Sequence, residues 1–124
     1  MYEFGSVLSV PKAKGFVNHM GMYVGQGLVF HNHPSSGERL VSLANFAKGR
    51  TVTVADLGVS QPLAIMSRLK ESLADPSPYR SCRSNCDHTV FKLRTGIPHS
   101  PQLRFFCLLG VACIAITVSL LKKR

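Results

Sequence analysis

Residues 105–121 read FFCLLGVACIAITVSLL, seventeen positions without a charge, and Lys122-Lys123-Arg124 follows them. As a helix rising about 1.5 Å per residue, such a run spans roughly 25 Å, the short end of what a bilayer core of about 30 Å requires. A helix buried in a small domain would show a polar face, and here only Thr117 and Ser119 interrupt the apolar run. The reading is therefore a C-terminal transmembrane helix, 101–124, with a basic end, attached to one domain over residues 1–100. About 100 residues suffice for a single modest core. The positive mean hydropathy of +0.12 has its source in this tail.

The net charge of +9 and pI near 9.9 bear on partners. No Trp is present, and the basic residues form no stripe interleaved with aromatics, so no nucleic-acid partner is expected. An anionic lipid surface fits better, because each Lys or Arg near such a leaflet contributes about 1 kcal/mol. Of the four cysteines, Cys107 and Cys113 lie in the apolar tail and Cys82 and Cys86 are close neighbours, which argues against a disulfide framework. The N-terminus Met1-Tyr2-Glu3-Phe4-Gly5 lacks a basic region followed by a long apolar one. These features lead to the expectation of a membrane protein with a single-pass C-terminal anchor and a cytoplasmic catalytic domain.

Upstream of the tail, the chain alternates strands and turns before it turns helical. Ser6 to Val10 reads as a strand followed by a PKAKG loop; His19 to Val24 and Leu28 to His31 are two β-rich runs joined by Gly25-Gln26-Gly27, a hairpin signal. Ser42 to Ala47 has room for one helical turn, and Arg50 to Ala55 places β-branched residues at alternate positions, as a strand does. Leu63, Ile65, Met66, Leu69 and Leu73 recur at helical spacing behind Pro62, which suits a first turn; Asp75-Pro76-Ser77-Pro78 ends that helix. A further helix is expected over Asn85 to Thr95, with Ser84 or Asn85 as its cap.

That placement gives Cys86 a chemical environment. A cysteine in the first turn of a helix meets the positive end of the macrodipole, which favours the thiolate, and the free N–H groups nearby can hold an oxyanion. A buried core cysteine has the same sequence appearance. On the hairpin, the tight turn folds His19 and His31 back towards each other, so that one imidazole can act as a base and the other can orient it. His33 and His88 could join them and Cys86 around zinc, but there is no Cys-x-x-Cys pair and His88, two residues past Cys86, points elsewhere on a helix. No metal and no cofactor is expected.

The stretch from His19 to His31, HMGMYVGQGLVFH, closely resembles the first signature box of the lecithin:retinol acyltransferase (LRAT)-like proteins: His, two residues, hydrophobic, Tyr, hydrophobic, Gly, then Val, one residue and His. Asn85-Cys86-Asp87-His88 resembles the family's Asn-Cys-Glu-His box, with Asp87 in place of Glu; Phe91 to Gly96 continues the similarity, and Tyr79 matches a recurrent tyrosine. The resemblance covers roughly residues 4 to 104 and is closest to the phospholipase A/acyltransferase branch related to the HRAS-like suppressors. It implies an α+β fold of the circularly permuted papain-like (NlpC/P60-type) kind, an antiparallel sheet with packed helices. It also implies a Cys-His-His triad of Cys86 as nucleophile, His19 as base and His31 as third member, acting on a phospholipid through an acyl thioester. Two other classes remain: an NlpC/P60-type amidase or peptidase, favoured by a charged rather than apolar groove, and a non-catalytic membrane-bound interaction module.

Overall fold

The computed structural model describes residues 1–12, 17–56 and 61–122, with side chains described in those segments except at 56 and 117–122. Most of the PKAKG loop and the terminal Lys123-Arg124 lie outside the described residues. Four strands follow in chain order, β1 (Val7–Pro11), β2 (Asn18–Gly25), β3 (Leu28–His33) and β4 (Gly37–Ser42). After the short helix α1 (Leu43–Ala47), β5 (Thr53–Asp56) returns to the free edge of β1, giving an antiparallel sheet in the order β4-β3-β2-β1-β5. Helices α2 (Pro62–Ala74), α3 (Cys86–Thr95) and α4 (Pro101–Lys122) complete the chain. The molecule is thus a small α+β protein.

Alternation along the strands sends side chains to two cores. On one face Val7, Met22 and Phe30 pack with Ile65 and Leu69 of α2 and Val90 and Leu93 of α3. On the other, Leu8, Val10 and Val29 pack under Phe46 of α1. Phe46 is 1% exposed, and burying such a ring contributes about 1.5–3 kcal/mol. Ser42 caps α1 by accepting the Asn45 N–H at 3.2 Å, and Asn85 caps α3 by accepting the His88 N–H at 3.1 Å. The hairpin turn has Gly25, Gln26 and Gly27 all at positive φ, which two glycines make accessible.

Gly21 on β2 is needed for close approach. A Cβ there would lie 2.6 Å from Val29 Cγ1 and 2.7 Å from Phe46 Cε2, well inside contact distance. Gly21→Ala is therefore expected to destabilise the fold by about 1–3 kcal/mol through overpacking, seen as a lower midpoint in urea unfolding. An unchanged midpoint would mean that α1 does not sit on the sheet as described.

The C-terminal segment departs from the expectation of a transmembrane anchor. Among the described residues no helix is long and apolar enough to cross a membrane. The uncharged run of seventeen residues spans only about 25 Å as a helix, short of a hydrocarbon core of about 30 Å. Nor does α4 start as a free stalk. Ser100 caps it by accepting the Leu103 N–H at 3.1 Å, and Gln102 in its first turn bonds to Asp87 and to the backbone of Asn18. The single-pass anchor, and the localisation drawn from it, are corrected accordingly.

Candidate active site

The sheet positions the histidines. Met22 pairs with Phe30, and continuing that register sets His31 opposite Gly21 and His19 two pairs further along, opposite His33, so the two histidines are diagonal neighbours on one face rather than directly opposed. Both side chains lie on the Phe46 face, where Gly21 leaves room above the strand. His19 Nε2 and His31 Nδ1 share a hydrogen bond of 2.7 Å, and the residues are 7% and 4% exposed. Burial, then the neighbouring His31, then Lys12, lowers His19 to about 3. Burial, then His33, then Arg39 and Lys48, lowers His31 to about 4. Both rings are neutral at pH 7, so one must donate the shared proton. His31 Nε2 is buried without a partner, while no hydrogen bond among the described residues engages His19 Nδ1. With His19 Nε2–H as the donor to His31 Nδ1, His19 Nδ1 is left as a basic nitrogen away from His31.

Cys86 opens α3 and is 2% exposed. Burial raises its thiol above the usual 9.0; the backbone of Met20, Lys12 and the backbone of Asp87 act in the opposite sense, and the Asp87 carboxylate reinforces the rise. The thiol donates weakly to Asp87 Oδ1 at 3.9 Å. No hydrogen bond joins Cys86 to His19 or His31. The sulfur instead lies against the backbone of Met20, the residue that follows His19. Because the thiol is predominantly protonated at rest, its alkylation by iodoacetamide is expected to keep accelerating above pH 9. A rate that levels off near pH 7 would reveal a thiolate already formed in the resting site.

Two polar networks hold the cysteine segment. Asp87, fully buried, accepts from Ser100 Oγ at 2.9 Å and from Gln102 Nε2 at 2.7 Å, tying the residue after Cys86 to the start of α4. On the other side, Asn32 Nδ2 donates to the Ser84 carbonyl at 3.0 Å and to Thr89 Oγ1 at 3.2 Å. Thr89 in turn donates to the buried Glu38 at 2.8 Å. The second Glu38 oxygen accepts the Ser77 N–H at 3.0 Å. These networks fix geometry, because breaking one bond leaves a further buried polar group unsatisfied; Asn32 Oδ1 is already buried without a hydrogen-bond partner.

Two cavities flank the β1–β2 end of the sheet. One, of about 160 Å³, is bounded by Tyr79, Cys86, Asp87, Gln102, Leu103 and Phe106. The other, of about 290 Å³, is bounded by His19, His31, His33, Phe46, Lys48 and Arg50. Lys12 borders both. His33 bonds to Ser35 and His88 to Asn85, so neither reaches the thiol, and among the described residues no three His, Cys, Asp or Glu side chains form a metal-ligand group. Lys12, Phe46 and Gln102 carried no signal in the sequence. Each lies in or beside a loop, a single helical turn or the apolar tail, and is brought to the site only by tertiary packing.

A buried cysteine at a helix N-terminus thus lies beside a strand bearing a paired histidine in a small α+β protein. No family model matches the chain. The chain is similar to human lecithin retinol acyltransferase, 29% identical over 140 aligned positions that cover 86% of this chain and 60% of that protein. This distant similarity supports an LRAT-like family. The chain spans about 60% of the length of the relative it matches.

Proposed function

We propose that the protein transfers or hydrolyses acyl groups of a phospholipid through a thioester on Cys86. The observation that carries the reading is the position of Cys86 at the first helical residue of α3, with its sulfur against the backbone beside His19. In the first step the Cys86 proton passes to His19 Nδ1, Sγ attacks the ester carbonyl carbon, and the C–O bond breaks. His19 returns the proton to the departing lysophospholipid oxygen, leaving acyl-Cys86. Water, an alcohol or an amine then attacks the same carbon, His19 takes its proton, and the C–S bond breaks to restore the thiol. His31 holds His19 through the shared hydrogen bond. In the resting arrangement the thiol faces Asp87, so the proton transfer needs Sγ or the His19 ring to turn; catalytic bonds often close only once substrate is bound.

The similarity to a protein whose name describes acyl transfer involving lecithin and retinol favours an ester of lecithin type as donor. The test is incubation of the full chain with phosphatidylcholine, with and without an added primary amine. The expected products are lysophosphatidylcholine with free fatty acid, or with the acylated amine. A folded chain that forms no lysolipid under either condition would overturn the reading. The cationic lining of the histidine cavity favours a second reading, an amidase acting on an acidic substrate. Cleavage of acidic acyl-amides in the absence of lysolipid formation would favour it.

A further inference from the structure

We propose that the cavity over the His19–His31 pair is a subsite for a phosphate group, which on the phospholipid reading is the headgroup phosphate of the acyl donor.

The cations come from separate elements. Lys12 follows β1, Lys48 and Arg50 follow α1, and all three border the cavity with His19, His31 and His33. Arg39, on β4 opposite His31, adds its field from outside the lining. Among the described residues no carboxylate lines the cavity. Like charges gathered without a counter-charge repel one another, and the cavity therefore gains most from an anion that can receive several donors at once. A phosphate group offers more acceptor oxygens than a carboxylate, and it suits cations arriving from different directions. Arg50 is held for this role, donating Nη1 to the Pro11 carbonyl at 2.7 Å and Nε to the Ala47 carbonyl at 3.1 Å, with Nη2 outside both bonds.

Lys48 carries the second observation. It ends α1 at φ 50°, in the left-handed region where glycine is the ordinary choice, and Gly49 follows it at φ 74°. A side chain with a Cβ is unfavourable there. A lysine in that position gives up stability and brings a cationic side chain to the cavity lining, which is the pattern of strain found at binding sites. Lys12 then connects binding to chemistry. Since it borders both cavities, an anion seated beside it has the rest of its molecule next to Cys86.

The test uses the full chain carrying Cys86→Ala, so that nothing turns over and binding is read independently of the acyl reading. Inorganic phosphate and the soluble diester glycerophosphocholine are each titrated in chloride buffer, with the imidazole NMR signals of His31 and His33 and the heat of binding as readouts. Both probes are expected to bind, in competition, and Lys48→Gly is expected to weaken each by about tenfold while raising the melting temperature. That opposition of signs separates a lost ligand contact from a damaged fold. Lys12→Gln is expected to weaken both probes to a similar degree. Binding of inorganic phosphate without competition from the diester would keep the anion site and overturn its assignment to a lipid headgroup. No binding of either probe, or binding indifferent to both Lys48→Gly and Lys12→Gln, would overturn the subsite itself.

Discussion

Cys86→Ala is expected to lower phosphatidylcholine turnover by at least about 10³-fold, because it removes the atom to which the acyl group would be attached and no second group can take its place. The other cysteines, Cys82, Cys107 and Cys113, are exposed and line neither the histidine cavity nor the Cys86 cavity, so none offers a substitute nucleophile. The fold should survive. Alanine removes only the sulfur of a buried side chain; the Asn85 cap and the Asn32–Thr89–Glu38 network do not involve it, and Asp87 loses only the weak 3.9 Å thiol contact while keeping its bonds to Ser100 and Gln102. The substitution therefore separates chemistry from structure. Circular dichroism and melting temperature near those of the wild type, with turnover gone, are the expected pair of results. Residual turnover within tenfold of wild type would mean that the thioester route is wrong.

The second large effect is loss of stability in acid. His19 is held at about 3 and His31 at about 4 in the fold, both below the 6.5 of a free imidazole, chiefly because burial disfavours their charged forms. Well above pH 6.5 both rings are neutral whether the chain is folded or unfolded, and they contribute no pH dependence. As pH falls below 6.5 the unfolded chain takes up protons that the folded chain refuses, so stability falls with pH until about pH 3–4, where the folded state binds them too. For the pair the loss by pH 4 is on the order of 3 kcal/mol or more, a large part of a small domain's total. Urea unfolding midpoints measured from pH 7 to pH 4 should decline steeply, and His31→Gln should flatten part of that decline. A midpoint constant over that range would show that the imidazoles are solvated rather than buried.

Local chemistry made several elements legible. The Gly25-Gln26-Gly27 turn between two β-rich runs became the β2–β3 hairpin, and Pro62 opens α2 as a first-turn proline should. Asn85 caps α3 as its side chain allows. What escaped the sequence depends on partners remote along the chain. Strand β4 carries Glu38 and Arg39 and has no alternation that marks a half-buried strand; Glu38 is buried only because Thr89 and Ser77, far along the chain, satisfy its oxygens. The apolar tail resembled a free membrane helix because nothing local shows that Gln102 and Ser100 bond to Asp87. At the site, spacing alone placed two histidines near each other but could not reveal that the thiol rests in a separate cavity, with Lys12 between them. That separation depends on how α3 docks against β2, which is a tertiary matter.

On the thioester route an acyl group resides on Cys86 during turnover. The direct measurement is mass spectrometry of the full chain quenched in acid during reaction with phosphatidylcholine, followed by peptide mapping. The expected result is a mass increment of one fatty acyl group on the peptide containing Cys86, removed by neutral hydroxylamine and absent from Cys86→Ala. An increment confined to Cys82, Cys107 or Cys113, or lysolipid formed with no increment on any cysteine when product release is slowed, would contradict it.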